Sequence, residues 1–270
     1  MKKFVFLLFV LMPMLNSCSG DDSSIVNEPE LTNEGFILKR VDMLSPNPST
    51  GTGATHFYNG NKLDRIGQDP SNCTKYTYTG DLITKTDWIQ DNVVKSTDYY
   101  FYDSTQRLSE YKVLSYTDNI GGRFVYNYND SDGTCVVTHF SGDLQSQNIP
   151  DLNFSRKLFF QNGVVVKKQR SMVINGNLET LTTDLAFDNK HNPNNAILGM
   201  SKLILYENDN YASPNNLISY TFSATNTTNI DIDLIQYTYN FYDFPITQKY
   251  LDPYDTGNSD VEFKYFYQQP

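Results

Sequence analysis

The strongest constraint on the fold is a short unit that recurs along the chain. In each copy an alternating strand rich in aromatic residues leads into a polar turn and then a second alternating strand. The copies are His56–Leu63, Tyr76–Ile83, Tyr100–Leu108, Tyr126–Gly133, Phe159–Val165 and Tyr237–Asp243, with Phe263–Tyr267 as a closing strand. Residues at i and i+2 of a strand share a face, and Asn, Asp and Gly supply the positive φ of tight turns. The pattern therefore predicts β-hairpins with one buried and one wet face.

A single hairpin is only marginally stable in water, so the units are expected to pair edge to edge within one domain, residues 35–270. We predict an all-β fold of repeated antiparallel β-hairpins that form a twisted sheet or a β-solenoid-like array, with a β-sandwich or barrel as the alternative. Residues 193–217 interrupt the rhythm. They are predicted to leave the sheet, either as a short helix begun by Pro193 or as a long loop with one strand.

Composition narrows the possible partners and ligands. The chain has 270 residues, of which 31 are acidic and 21 basic, for a formal charge of −10. Nucleic-acid affinity depends largely on Lys and Arg that neutralise phosphates, so no nucleic-acid partner is expected. The 20 Tyr and 17 Phe favour strands. A chain of this length buries a substantial core without metal or disulfide, and no cofactor is predicted.

The N-terminal residues predict export and lipidation. Lys2 and Lys3 precede an apolar run, Phe4–Met14, that is too short for a permanent membrane span, which indicates a signal peptide over residues 1–17. Leu15-Asn16-Ser17-Cys18 resembles the bacterial lipobox, in which the cysteine is diacylated. This resemblance implies a membrane anchor at Cys18, where two or three acyl chains give stable attachment. Residues 18–34 are predicted to be a flexible tether.

Three segments resemble parts of known families. Asp21-Asp22 resembles the export signal that takes Bacteroidetes lipoproteins, flavobacterial ones especially, to the cell surface. Tyr100–Leu108 resembles the YD repeat of RHS-type proteins, with Gln106 where the family has Gly. Phe187–Pro193 resembles a recurrent segment of Bacteroidetes lipoproteins, in which an aromatic-Asp pair is followed by Asn-Pro. Together these resemblances imply stacked hairpins in a lipid-anchored outer-membrane protein that faces outward.

Motifs for catalysis or metal binding are not found in the sequence. His56, His139 and His191 fall in separate units without the spacing of a zinc site. The segment Asn129–Gly133 fails as a calcium loop, because Cys135 occupies the position of its obligatory glycine. Ser109–Lys112 matches a Ser-x-x-Lys acylation motif, but residues i and i+3 of a strand point to opposite faces. We therefore predict no catalytic residue, no metal site and no enzyme activity.

The two cysteines of the body and its single tryptophan each allow two interpretations. Cys73 and Cys135 are predicted either to form a disulfide in an oxidising compartment or to be two buried thiols. Trp88 is a weak candidate for ligand binding, since aromatic rings stack on flat apolar faces, with a core position as the alternative. The favoured function is a surface binding or scaffold module with a glycan or protein partner. The alternatives are an enzyme that acts on an extracellular polymer through paired carboxylates, or a structural partner in an outer-membrane complex.

Overall fold

A computed structural model describes residues 36–44, 53–174, 176–206, 212–225, 230–251 and 261–268. Most of this part of the chain is β-strand. The strands are β1 (Ile37–Leu44), β2 (Ala54–Asn59), β3 (Lys62–Asp69), β4 (Asn72–Thr79), β5 (Leu82–Gln90), β6 (Val93–Tyr102), β7 (Leu108–Ser115), β8 (Ile120–Asn129), β9 (Thr134–Gly142), β10 (Ile149–Gln161), β11 (Val164–Ile174), β12 (Asn177–His191), β13 (Asn215–Ala224), β14 (Ile230–Tyr239), β15 (Pro245–Leu251) and β16 (Glu262–Gln268). Two short 3₁₀ helices, Pro193–Ala196 and Met200–Lys202, lie between β12 and β13.

The sheet closes into a barrel. Each strand pairs antiparallel with its neighbours in sequence, and β1 also pairs with β16, from Ile37 opposite Gln268 to Leu44 opposite Glu262. Closure leaves no open sheet edge, which is how barrels avoid edge-to-edge aggregation. The predicted all-β antiparallel fold and its barrel alternative are confirmed, whereas the favoured twisted sheet or β-solenoid-like array is wrong. Alternation specifies each hairpin but carries no information on whether the first and last strands meet.

The predicted turns have the expected backbone geometry. Gly60 and Gly80 lie in the turns of the first two hairpin units, with φ of 63° and 59°. In the YD-like unit Gln106 has a φ of 62°, at the position where the RHS family has glycine. The Asp103 carboxylate accepts the backbone N–H groups of Thr105 and Arg107, each at 2.9 Å. This side chain thus fixes the turn locally, as Asp commonly does.

Five of the recurring tyrosines join a strand to the one before it. The hydroxyl of a tyrosine on an even-numbered strand donates to a backbone carbonyl on the strand before it. These bonds are Tyr58 to Leu38, Tyr102 to Ile83, Tyr128 to Leu108, Tyr237 to Leu217 and Tyr267 to Pro245, at 2.6 to 3.1 Å. Burial raises the pKa of these phenols, which therefore stay neutral donors at physiological pH. Tyrosines of the sequence repeat thus form recurring hydrogen bonds between neighbouring strands.

Candidate functional site

Part of the barrel lumen is filled by the chain itself. Residues 192–206, the plug, leave β12 and contribute the buried side chains Ile197, Met200 and Leu203. These pack with inward side chains of β3 and β5 to β10, among them Leu63 and Leu158. Of the excursion predicted for residues 193–217, the structure describes two 3₁₀ turns, the first with Pro193 at its start, whereas residues 215–217 already belong to β13. Instead of lying on the surface, the plug forms part of the core.

Hydrogen bonds of side chains hold the plug at its start and at its middle. At its start, Asn192 accepts the backbone N–H of Asn194 at 3.0 Å and donates to the Ser213 carbonyl at 2.9 Å. Farther in, the hydroxyl of Tyr78 donates to the Leu198 carbonyl at 3.1 Å. Tyr78 occupies the β4 position of the tyrosine repeat, and its hydroxyl also accepts the backbone N–H of Leu63 on β3 at 3.1 Å, so this member of the repeat links the plug to a neighbouring strand. The plug is therefore anchored by the same chemistry that joins the hairpins.

Gly199 allows the plug to approach the wall closely. Its φ is 77°, and a Cβ at this position would lie 2.7 Å from the carbonyl oxygen of Asp81 in the β4–β5 turn. Only glycine fits both the left-handed backbone and this close approach. The glycine therefore permits the path by which the plug enters the lumen.

A row of stacked rings lines the lumen beside the plug. The successive ring pairs are Tyr100–Tyr111 at 5.5 Å, Tyr111–Phe124 at 5.4 Å and Phe124–His139 at 4.5 Å, with interplanar angles of 10° to 19°. The four residues are directly opposite one another on β6, β7, β8 and β9. Tyr206 at the inner end of the plug also contacts Phe124, with 4.9 Å between ring centroids. The aromatic residues of the repeat thus serve mainly as lumen packing.

The outer wall of the barrel is charged at the middle of its strands. Lys85 pairs with Asp87 at 2.7 Å, and Glu110 pairs with Lys112 at 3.2 Å and with Arg123 at 3.3 Å. Along β5, β7 and β8 these residues alternate with side chains that are buried or packed in the lumen. Because successive side chains of a strand point to opposite faces, the ion pairs lie on the outside.

The same chemistry continues around the wall. Lys167 on β11 pairs with Asp184 on β12 at 3.1 Å, and Arg40 pairs with Asp42 on β1. Several aromatic rings on the outer face of the wall lie beneath cations. These contacts are Arg40 over Phe266, Arg65 over Phe57, Lys112 over Phe101, Arg123 over Phe140 and Lys157 over Phe159, at 3.9 to 5.2 Å. Charged side chains thereby cover much of the apolar area that the outward rings would present.

A cavity of about 710 Å³ opens beside the inner end of the plug, between β10 and β14. Residues around it include Arg156, Lys168, Arg170, Tyr206, Phe222 and Asp231. The Lys168 ammonium donates to the Tyr206 carbonyl at 3.4 Å, which joins the cavity wall to the plug. Three cations and one carboxylate thus line this cavity in a chain whose formal charge is −10. We define these residues as the basic pocket.

Trp88, the candidate ligand-binding residue, lies on β5 opposite Thr74 and Ser96, with half of its surface exposed. It is therefore accessible, although it does not line the basic pocket. Cys73 and Cys135 are free thiols, and both are buried. They lie on β4 and β9, with four strands between them in the sheet, so the structure has the two buried thiols and not the disulfide.

The three histidines occupy separate places, as their sequence positions indicated. Burial lowers the pKa of His56 to about 4, so this side chain is a neutral core residue. The Nδ1 atom of His139 lies 3.3 Å from a carboxylate oxygen of Asp151, and His191 stacks on Phe244 at 4.9 Å. Among the residues that the structure describes, no three His, Cys, Asp or Glu side chains lie close enough to hold a metal ion.

Several predictions concern residues outside the described ranges. The signal peptide, the lipidated Cys18, the Asp21-Asp22 pair and the tether over residues 18–34 all fall in this category. In the ranges that are described, no helix is both long and apolar enough to cross a membrane.

The basic pocket was missed by sequence reasoning. Lys167 and Lys168 look like one charged run, yet they point to opposite sides of the wall. The alternation of Lys168 and Arg170 on one face was a usable signal. Their alignment with Arg156 depends on the register of β10 against β11, which contains a bulge between Phe159 and Phe160. A pattern in one strand does not reveal such a register.

The comparisons with known proteins bear on the fold. No protein-family model and no curated protein sequence matches the chain. A crystal structure of a porin-like protein from Bacteroides vulgatus matches 86% of this chain and 99% of its own, with a TM-score of 0.51 and 14% identity. A porin-like protein from Bacteroides uniformis covers 86% of this chain and 96% of its own, with a TM-score of 0.48 and 8% identity. The first similarity shows a shared closed-barrel fold.

Proposed function

We propose that this protein is an outer-membrane lipoprotein whose barrel stands in water, tethered through Cys18, and binds a small ligand in its lumen. The role is binding and not catalysis. The observation that carries the proposal is the charged outer wall around a partly filled lumen. The similarity to the porin-like protein from Bacteroides vulgatus supports an outer-membrane setting. The lipobox-like segment supports the lipid as the means of attachment, and Asp21-Asp22 supports export to the outer face.

The chemistry of the outer wall argues against insertion in the bilayer. Barrels that span a membrane present an apolar outward band about 25 Å tall, and each Lys or Arg at its midplane costs about 2–4 kcal/mol. Lys85, Lys112, Arg123 and Lys167 alone would then cost on the order of 10 kcal/mol, comparable with the whole stability of a typical domain. In water the same residues form ordinary exposed ion pairs. A wet outer wall is therefore the favoured arrangement.

The lumen favours binding over passage. Barrels of 16 strands are wide enough for an aqueous channel when their interior is polar and open. Here Ile197, Met200 and Leu203 fill one side with apolar side chains, and stacked rings occupy the wall beside them. The basic pocket opens beside these residues, and pockets with apolar walls and a few polar groups are the usual sites for small ligands.

A second candidate, contact with another outer-membrane protein, has one specific observation in its favour. Ile230, Ile232 and Leu234 lie on alternate positions of β14 and are 40 to 56% exposed. Contiguous apolar surface of this kind often marks a protein contact. Such a contact would use the outside of the wall and would leave the lumen free.

Cysteine accessibility tests the wet wall. Thr77 is an exposed residue within β4, opposite Lys85. We expect the full-length Thr77→Cys variant, in native membranes without detergent, to react with a membrane-impermeant maleimide as fast as Asp81→Cys in the adjacent turn. The wild-type chain gives the background, because Cys73 and Cys135 are buried.

The matched pair separates the two arrangements. A wall in contact with lipid would protect the thiol at position 77 while the turn position still reacts. Labelling at position 81 but not at 77, reversed by detergent, would therefore contradict the proposal.

A further inference from the structure

We propose that the basic pocket binds an organic oxyanion, a carboxylate, sulfate or phosphate carried on an apolar or ring-shaped body. This inference deepens the proposed function, on which it rests, by naming the class of ligand that the lumen takes. Three cations lie together in the pocket, with apolar residues beside them.

The cations are placed together by the strand register. Arg156 on β10 lies directly opposite Arg170 on β11, and Lys168 lies two residues before Arg170, opposite Leu158. Directly opposed residues of an antiparallel pair have Cβ atoms about 5 Å apart, and like charges in that position are destabilising. All three residues line the same cavity. An anion bound between them would meet all three cations.

The residue types specify the anion. A guanidinium offers a planar fork of N–H donors that matches the paired oxygens of a carboxylate, sulfate or phosphate. Arg170 forms no ion pair or hydrogen bond with the residues that the structure describes. Asp231 is the one carboxylate among the described lining residues, beside three basic groups. The pocket therefore selects negative charge.

The rest of the pocket specifies the body of the ligand. Phe222 lines the cavity and stacks on Tyr220 with 5.9 Å between centroids and an interplanar angle of 14°. Leu181 and Tyr206 add further apolar and aromatic surface. Rings of a ligand can pack against such faces while its charged group meets the arginines. An inorganic ion alone would leave this surface unused.

A pair of fluorescent probes tests both parts of the inference. 8-Anilinonaphthalene-1-sulfonate is an aromatic sulfonate, and N-phenyl-1-naphthylamine has the same rings without the charge. We expect the full chain with Cys18→Ala to bind the sulfonate at least tenfold more tightly than the amine. Arg170→Gln should weaken sulfonate binding about tenfold and leave the amine unchanged, because one charge-assisted interaction is lost.

Control variants separate the pocket from other sites. Lys157→Gln removes a cation from the outer face of the same strand as Arg156 and should leave both affinities within twofold. Equal affinity for the two probes, or no effect of Arg170→Gln, would overturn the inference. Glu207 and Asp209 follow Tyr206 in sequence. A tenfold gain in sulfonate affinity on converting both to amides would make the chain's own carboxylates the anion, and would also overturn it.

The two proposals fail separately. If the Cys18→Ala chain needs detergent to remain in solution after residues 1–17 have been removed, the water-exposed barrel is wrong. The probe comparison is then made in one detergent, with the Arg170→Gln difference as its readout. If the chain is soluble and shows no preference for the sulfonate, only the oxyanion pocket is wrong.

Discussion

Replacing Cys18 by alanine is expected to leave the protein unprocessed or, once residues 1–17 are removed, to transfer it almost completely from the detergent phase to the aqueous phase in a Triton X-114 partition. The physical reason is that the acyl chains alone hold the barrel at the membrane. Each buried methylene contributes about 0.8 kcal/mol, so two or three chains give stable anchoring. The charged outer wall adds no affinity for hydrocarbon. We expect more than nine-tenths of the wild type in detergent and, on an estimate from the same anchoring energies, roughly the reverse for Cys18→Ala.

A cysteine in the barrel provides the control. Cys73→Ala removes a buried thiol of β4 and should leave the partition as in the wild type. Incorporation of radiolabelled palmitate should follow the same pattern, present in Cys73→Ala and absent in Cys18→Ala. A Cys18→Ala chain that remains in the detergent phase and still carries palmitate would contradict lipid attachment at this residue.

Leu203→Ala is expected to lower the free energy of unfolding by about 2–5 kcal/mol. Leu203 belongs to the plug, is 2% exposed and packs in the larger core cluster. Its truncation leaves a cavity that the surrounding strands, held by the closed sheet, fill only in part. Urea unfolding of the Cys18→Ala chain, followed by tyrosine fluorescence, measures the change.

Leu178→Ala is the matched control for this experiment. Leu178 lies on β12 with 70% of its surface exposed, so the same chemical change should alter stability by no more than about 0.5 kcal/mol. Equal effects of the two substitutions would show that the plug is not part of the packed interior. A small lumen ligand would then have far more room than the basic pocket provides.

The sequence predicted the hairpins well because their signals are local. Tyr100 and Tyr102 share a face of one strand, and the turn that follows is fixed by Asp103 and Gln106, all within a few residues. Closure was not predictable in this way. It depends on Ile37 meeting Gln268, residues at opposite ends of the body, and any open array has the same local alternation.

The plug and the basic pocket show a second limit. Proline and asparagine residues indicated that residues 193–217 interrupt the hairpin repeat. Where this segment packs depends on the space inside the barrel, and the sequence did not predict that the sheet closes. The basic pocket requires the register between Arg156 and Arg170. A bulge shifts that register by one residue and would reverse which side chains face inward.

Neutron reflectometry of the acylated full-length protein on a supported bilayer tests the central claim most directly, because it locates protein along the membrane normal. The hydrocarbon layer is about 30 Å thick and is resolved from the water above it by solvent contrast. A tethered barrel with a wet outer wall predicts that the protein density lies in the water layer beyond the headgroups, with none across the hydrocarbon layer. Protein density that fills the hydrocarbon layer would contradict the account and would make the barrel a membrane-spanning one.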